Sequence, residues 1–163
     1  MPAHDLMLAA IPRLRAFAIS MCGSADRADD LVQEALLRAW AHIDLYRPGS
    51  MLAWLALILR NVYYGEYRKR RREVADSDGS YAQTLTSPPA QTSALDLSEL
   101  LGALRRLPTE KREALILAGA AGFSYRDVAD ICGCAVGTVK SRVNRARSLL
   151  AELEAANDLP RHH

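Results

Sequence analysis

The chain has 163 residues, half of them apolar, and its 21 Lys and Arg against 19 Asp and Glu leave a net charge of +2. That length and apolar content can bury one modest core or two small ones, which excludes wholesale disorder. So small a net charge also excludes attraction of nucleic acid by the whole surface, so any such binding must come from clustered cations.

The first helix is expected from about Leu6 to Met21, ending at Gly23, a residue that accepts the left-handed turn of a helix C-cap. Pro12 inside it is a candidate kink. The N-terminus meets Asp5 before any basic residue and carries Arg13 and Arg15 within its apolar stretch, the reverse of a secretory signal. Ser24 offers an N-cap, and Asp26, Asp29 and Asp30 crowd the positive end of a second helix expected to reach about Ile43. A loop from Asp44 to Gly49 leads to Ser50, which can cap a third long helix reaching the arginines Arg70 to Arg72. The longest apolar run, Met51 to Leu59, is far below the roughly 20 residues that cross a bilayer, so no membrane insertion is expected.

Between Val74 and Thr92 the composition turns to Ser, Thr, Asp, Gly and Pro, which reads as a linker able to stretch on the order of 60 Å. Helical periodicity resumes near Leu95, and Pro108, Gly122 and Gly133 divide the remainder into four short helices. Apolar spacings of three and four prevail, and two-residue alternation is nearly absent. The expected fold class is therefore all-α, with helical domains over 1–73 and 94–157 joined by a flexible linker over 74–93.

The segment GFSYRDVADICGCAVGTVKSRVNRARSLL has the outline of a helix-turn-helix: a short helix capped by Ser124, a tight turn and a second basic helix. Val136, Val139, Val143, Ala146 and Leu150 share one face and are expected to be buried. Thr138, Ser141, Asn144 and Arg145 point the other way, flanked by Lys140, Arg142 and Arg147. Short polar side chains between cations suit base edges read in a major groove between neutralised phosphates. The plain alternative is a solvated basic helix.

In the third helix Met51, Leu55, Ile58, Leu59 and Val62 form the expected core stripe. The opposite face, with Arg60, Asn61, Tyr64, Tyr67, Arg68 and Arg71, mixes cations, rings and an amide, as an unstacked single strand requires. Tyrosines completing a core beside solubilising arginines would give the same residues. On the second helix Asp30, Gln33, Glu34 and Leu37 lie opposite Val32, Ala35, Leu36, Ala39 and Ile43. An exposed leucine among acids suits docking to a basic protein surface, though an ordinary solvated face fits these residues equally.

Three cysteines, Cys22, Cys132 and Cys134, make too sparse and odd a set for a secreted disulfide framework, which favours a reducing cytoplasm. With His4, His42, His162 and His163 scattered, no four-ligand metal set is visible, and Cys132 and Cys134 read as small turn residues, with a zinc site or a redox switch as the minor alternative. No catalytic constellation or phosphate-cradling loop stands out, so neither an enzyme nor a cofactor is expected.

DRADDLVQEALLRAW, then WLALILRN followed by basic residues, then LPTEKREAL and GFSYRDVADICGCAVGTVKSRVNRAR together resemble the extracytoplasmic-function (ECF) sigma factors over nearly the whole chain. CGCAVGTVKSRVNRAR is most similar to the EcfG-type subgroup that runs the general stress response. The resemblance implies a sigma region 2 domain and a sigma region 4 domain. It implies that Asp30, Gln33, Glu34 and Leu37 meet the beta-prime clamp helices of core RNA polymerase, whose beta subunit is a further partner. It also implies that the loop with Asp44, Tyr46 and Arg47, and Asn61 near it, captures a flipped minus-10 base, with Tyr64, Tyr67 and Arg68 along the melted strand. Thr138, Lys140, Ser141, Arg142, Asn144 and Arg145 would then read minus-35 duplex, and a NepR-like cytoplasmic anti-sigma factor is the implied regulator. Departures from the family are Pro12, a linker short of acids, and Asn144 where some relatives place an aromatic.

Two rivals keep parts of this pattern. A sigma-mimic domain that sequesters an anti-sigma factor would share the fold, but no receiver domain follows, and Asn61, Arg68, Lys140 and Arg145 favour working DNA contacts. A helix-turn-helix repressor needs no acidic patch and commonly dimerises on palindromes.

Overall fold

The computed structural model describes residues 2–76 and 95–158, and the chain divides into two compact units. The first unit is built from α1 (Ala3–Cys22), α2 (Ala25–Ala41) and α3 (Met51–Asp76), and each helix packs on the other two. Gly23 ends α1 at φ 73°, its N–H donating to the Ile19 carbonyl at 2.7 Å. An L side chain would resist that left-handed backbone, so the sharp turn into α2 falls at a glycine. Ser24 Oγ accepts the Arg27 N–H and caps α2. Ser50 Oγ likewise accepts the Ala53 N–H at 3.1 Å at the head of α3. Pro12 stands inside α1 on its exposed side, and the helix continues through it.

Leu14, Phe17 and Met21 of α1, Leu31, Val32 and Ala35 of α2, and Leu55, Leu59 and Val62 of α3 make the core. Three expectations change at its edges. The buried side of α3 is rotated toward Ala56 and Tyr63, which leaves Ile58 half-buried at its margin. On α2 the buried face centres on Ala28, Leu31, Val32, Ala35 and Ala39, so Leu36 is half-buried. That helix stops at Ala41, and a 3₁₀ turn over Ile43–Leu45 takes Ile43 out of helical register, so it too is half-buried. The buried Tyr63 donates its hydroxyl to the Met21 carbonyl at 3.4 Å, and the buried Cys22 thiol donates to the Ser24 carbonyl at 3.2 Å. Burying a polar group without a partner costs stability, which is why both reach a carbonyl.

Helix α3 runs through Asp76, beyond the arginines at which it was expected to end, so residues 74–76 are helical and not linker. The rest of the expected linker, up to residue 94, lies outside the described residues.

The second unit holds α4 (Leu95–Arg106), α5 (Thr109–Leu115), α6 (Tyr125–Cys132) and α7 (Val136–Asp158). Helix α5 widens into a π turn over Ile116–Ala120, where the Ala121 N–H donates to the Ile116 carbonyl at 2.9 Å. Helix α7 packs on α4, α5 and α6, and Leu104, Leu117, Phe123, Val128, Ile131, Val139, Val143 and Ala146 fill the core. Its 23 residues make it long, not short. Val136, in its first turn, is 38% exposed, so the buried stripe starts at Val139. Leu150 is half-buried. Among the described residues there is no strand, and no helix is long and apolar enough to cross a membrane.

Candidate nucleic-acid and protein interfaces

Between α2 and α3 the chain makes a tight loop in which backbone bonds close the 3₁₀ turn, Leu45 N–H to the His42 carbonyl at 2.9 Å and Tyr46 N–H to the Ile43 carbonyl at 3.1 Å. The Tyr46 hydroxyl donates to the Gly49 carbonyl at 2.9 Å, and its ring lies 5.4 Å from that of Trp54 at the start of α3. Tyr46 therefore acts as the loop's own strut, while Asp44 and Arg47 stand exposed beside it. Trp54, half-buried under the loop, is a structural residue that the sequence pattern did not single out.

Along α3, Asn61, Tyr67 and Arg68 are exposed and Arg60 and Tyr64 are half-buried. The Arg60 guanidinium stands 4.7 Å from the centre of the Tyr64 ring and that of Arg71 5.8 Å from Tyr67. In each pair the cation lies over the ring, so charge and aromatic surface stand together at both places along the helix. The Tyr63 ring meets Tyr64 edge-on at 5.3 Å, so the buried tyrosine braces the half-buried one.

On α2 the expected docking residues Asp30, Gln33 and Leu37 are exposed and Glu34 is half-buried, held by Arg38 Nε at 2.9 Å. Asp30, Gln33 and Leu37 border two different hollows. Asp30 lines a charged one of about 280 Å³ with Arg27 and with Glu66, Lys69, Arg70 and Glu73 of α3. Gln33 and Leu37 line an apolar one of about 270 Å³ with Leu36, Trp40 and the α1 residues His4, Met7, Leu8 and Ile11. Trp40, Leu37 and Leu8 are more than half exposed there, an apolar cluster to which two helices contribute and which a reading of α2 alone could not find. Nearby, Arg15 Nε donates to Asp29 at 2.7 Å, and that hydrogen bond and the carboxylate's charge raise the guanidinium's pKa above its ordinary value.

In the second unit, Ser124 Oγ accepts the Asp127 N–H at 3.1 Å to cap α6, and Gly133 turns the chain at φ 66° into α7. Lys140, Ser141, Asn144, Arg145 and Arg147 are exposed opposite Val139, Val143 and Ala146, each of which is fully buried. Two expected members differ. Thr138 is half-buried, and Arg142 folds back, with Nη2 3.6 Å from Glu110 and Nη1 donating to Cys134 Sγ at 3.7 Å. Those contacts turn its guanidinium toward α5 and the turn, away from the stripe of Ser141 and Arg145. Beneath them Glu113 is buried and accepts the Cys132 thiol at 2.9 Å. Arg112 beside it is buried as well. Neither buried charge could be told from surface charge by residue type. Among the described residues no group of three or more His, Cys, Asp or Glu is placed to hold a metal.

Comparison with known proteins gives these surfaces a context. The sigma-70 region 2 family model matches residues 6–73, and the sigma-70 region 4 model matches residues 97–150. The chain is 67% identical over 151 residues to the ECF RNA polymerase sigma factor EcfG of Rhodopseudomonas palustris (strain TIE-1), covering 92% of this chain and 83% of that protein. Its structure is similar to that of the sigma factor RpoE in complex with the anti-sigma factor NepR from Bartonella quintana, with TM-score 0.85 and 52% identity, covering 93% of this chain and 96% of that one. It is also similar to CnrH in complex with the cytosolic domain of CnrY, with TM-score 0.74 and 25% identity over 96% and 89% of the two chains. With both sigma regions matched in order along one all-helical chain, and a relative two-thirds identical along most of both lengths, the protein belongs to the ECF RNA polymerase sigma factors.

Proposed function

We propose that the two units divide promoter recognition: α2 and α3 hold melted minus-10 DNA while docked on core polymerase, and α7 reads minus-35 duplex. The observation that carries this reading is the exposed face of α7, where Lys140, Ser141, Asn144 and Arg145 stand over a fully buried stripe. A basic helix anchored on one side and polar on the other can lie in a major groove without unfolding its own domain.

In the first unit Asp44, Arg47 and Asn61 are the groups that would meet an extruded base. Tyr64, Tyr67 and Arg68 would meet the unstacked strand beyond it. Tyr46 would act by shaping the loop. Asp30, Gln33, Glu34 and Leu37 would dock on the beta-prime clamp helices, whose basic surface their charge complements. Arg142 and Thr138 contribute to the minus-35 face less directly, by holding the position of α7. The two units, joined by the chain between residues 76 and 95, would make the second DNA contact effectively intramolecular, so two weak contacts suffice together.

The NepR complex of the RpoE relative supports a NepR-like anti-sigma factor as this chain's regulator, and the resemblance of CGCAVGTVKSRVNRAR to the EcfG-type subgroup is the ground for stress-response genes as its targets. The protein would work in the cytoplasm with the polymerase and the promoter, and would catalyse nothing itself. Run-off transcription with purified core polymerase and a promoter library tests the reading. Start-site selection that appears only when the chain is added is the expected result, and no selection from any promoter refutes it.

A further inference from the structure

The turn between α6 and α7 carries two thiols whose surroundings differ in a chemically useful way. Cys134 Sγ accepts from the Arg142 guanidinium at 3.7 Å, and Cys132 Sγ donates to the Glu113 carboxylate at 2.9 Å. Both are half-buried, so a small oxidant can reach them, whereas the third cysteine, Cys22, is buried in the other unit. Between them Gly133 has φ 66° and ψ 38°, the mirror image of an α-helical residue. Helix geometry sets the Cα atoms flanking such a residue about 5.4 Å apart, inside the span a disulfide bridges.

We infer that Cys132 and Cys134 form a peroxide-oxidisable dithiol, closed by an intrachain disulfide that alters the turn holding α7. In the first step the Cys134 sulfur attacks one oxygen of hydrogen peroxide, the O–O bond breaks, and water leaves with the thiol proton, giving a sulfenic acid. The Arg142 guanidinium faces the sulfur on which this chemistry occurs, and Glu113 holds the proton of the second thiol. In the second step Cys132 displaces the hydroxyl from Cys134, its proton passes by way of Glu113 to that hydroxyl, and a second water leaves. Two thiols and one peroxide thus become one disulfide and two waters, with two electrons moving from sulfur to oxygen.

The disulfide removes both thiol contacts, Cys132 to Glu113 on α5 and Cys134 to Arg142 on α7. A ring closed across one intervening residue is strained, and strained, accessible disulfides are readily reduced, as a reversible signal requires. The consequence for DNA rests on the reading of α7 as a duplex reader, since that helix begins at Val136, two residues past Cys134.

The full chain is treated with hydrogen peroxide and digested with trypsin, because the peptide from Asp127 to Lys140 holds both thiols and no other. It should become lighter by two hydrogens while the Cys22 peptide stays reduced, and Arg142→Gln should slow that change about tenfold. Oxygen addition without the cross-link, a bond between two chains, or a rate indifferent to Arg142→Gln would each overturn the assignment. Binding to minus-35 duplex should fall about tenfold or more on oxidation and recover with dithiothreitol, whereas Cys132→Ser should bind equally with and without peroxide. Unchanged duplex binding by the cross-linked form overturns the regulatory role. If the reduced chain binds no duplex, the reading of α7 fails, and the peptide mass still decides the dithiol.

Discussion

Replacing Arg145 by alanine removes a guanidinium that stands exposed on α7, opposite the fully buried Val139, Val143 and Ala146. It takes nothing from that buried stripe, so the folding stability of the unit should change by no more than about 0.5 kcal/mol. A guanidinium paired with a guanine edge is worth about 1–3 kcal/mol of discrimination, so affinity for the preferred minus-35 duplex should fall about 5- to 150-fold. The loss should be concentrated at one base-pair position, and duplexes altered there should bind wild type and variant alike. Fluorescence anisotropy over single-substitution duplexes measures this directly. Lys140→Ala supplies the contrast: as a phosphate contact it should weaken all duplexes evenly and reduce the slope of log affinity against log salt by about 0.9. An even loss across all duplexes for Arg145→Ala would refute its base-reading role, whatever the size of the loss.

Glu34→Lys reverses a charge on α2 and ends its 2.9 Å pair with Arg38. That solvent-accessible pair, one helical turn apart, is worth only about 0.3–0.5 kcal/mol, so folding should persist while co-purification with core polymerase is lost and duplex binding is retained. Undiminished co-purification would remove the docking role. Leu59→Ala opens a cavity in a side chain with 0% exposure, which should cost about 2–5 kcal/mol in urea denaturation of the first unit. Gly133→Ala meets no atom within 4 Å, so its cost should be the left-handed backbone alone, about 1 kcal/mol in thermal unfolding, with Gly133→Asn milder. A larger loss would mean that the turn is held by more than its φ angle.

Where stability and shape depend on neighbours within a few residues, the chain could be read directly. The α1 stop at Gly23, the caps at Ser24, Ser50 and Ser124, and the turn at Gly133 are local hydrogen-bond and φ choices written in adjacent residues. The all-helical class follows in the same way, because apolar spacing and helix pitch share one period. So does the exposed stripe of α7, since a helix with a buried side must present the opposite one.

What only the tertiary structure decided concerns groups whose partners are far along the chain. Arg142 is in the pattern of a DNA-facing cation, yet Glu110, 32 positions earlier by their numbers, turns it toward α5. Glu113 has the composition of a surface residue and is buried against Cys132. Tyr46 is occupied by Gly49 and Trp54, and the hollow at Leu37 and Trp40 needs a second wall from α1. Residue type and spacing set which side of a helix turns inward, because that is a property of one helix. Which charge pairs, which ring is already engaged and which hollow opens depend on the helices that come to lie against it, and those are chosen by the packing of the whole unit.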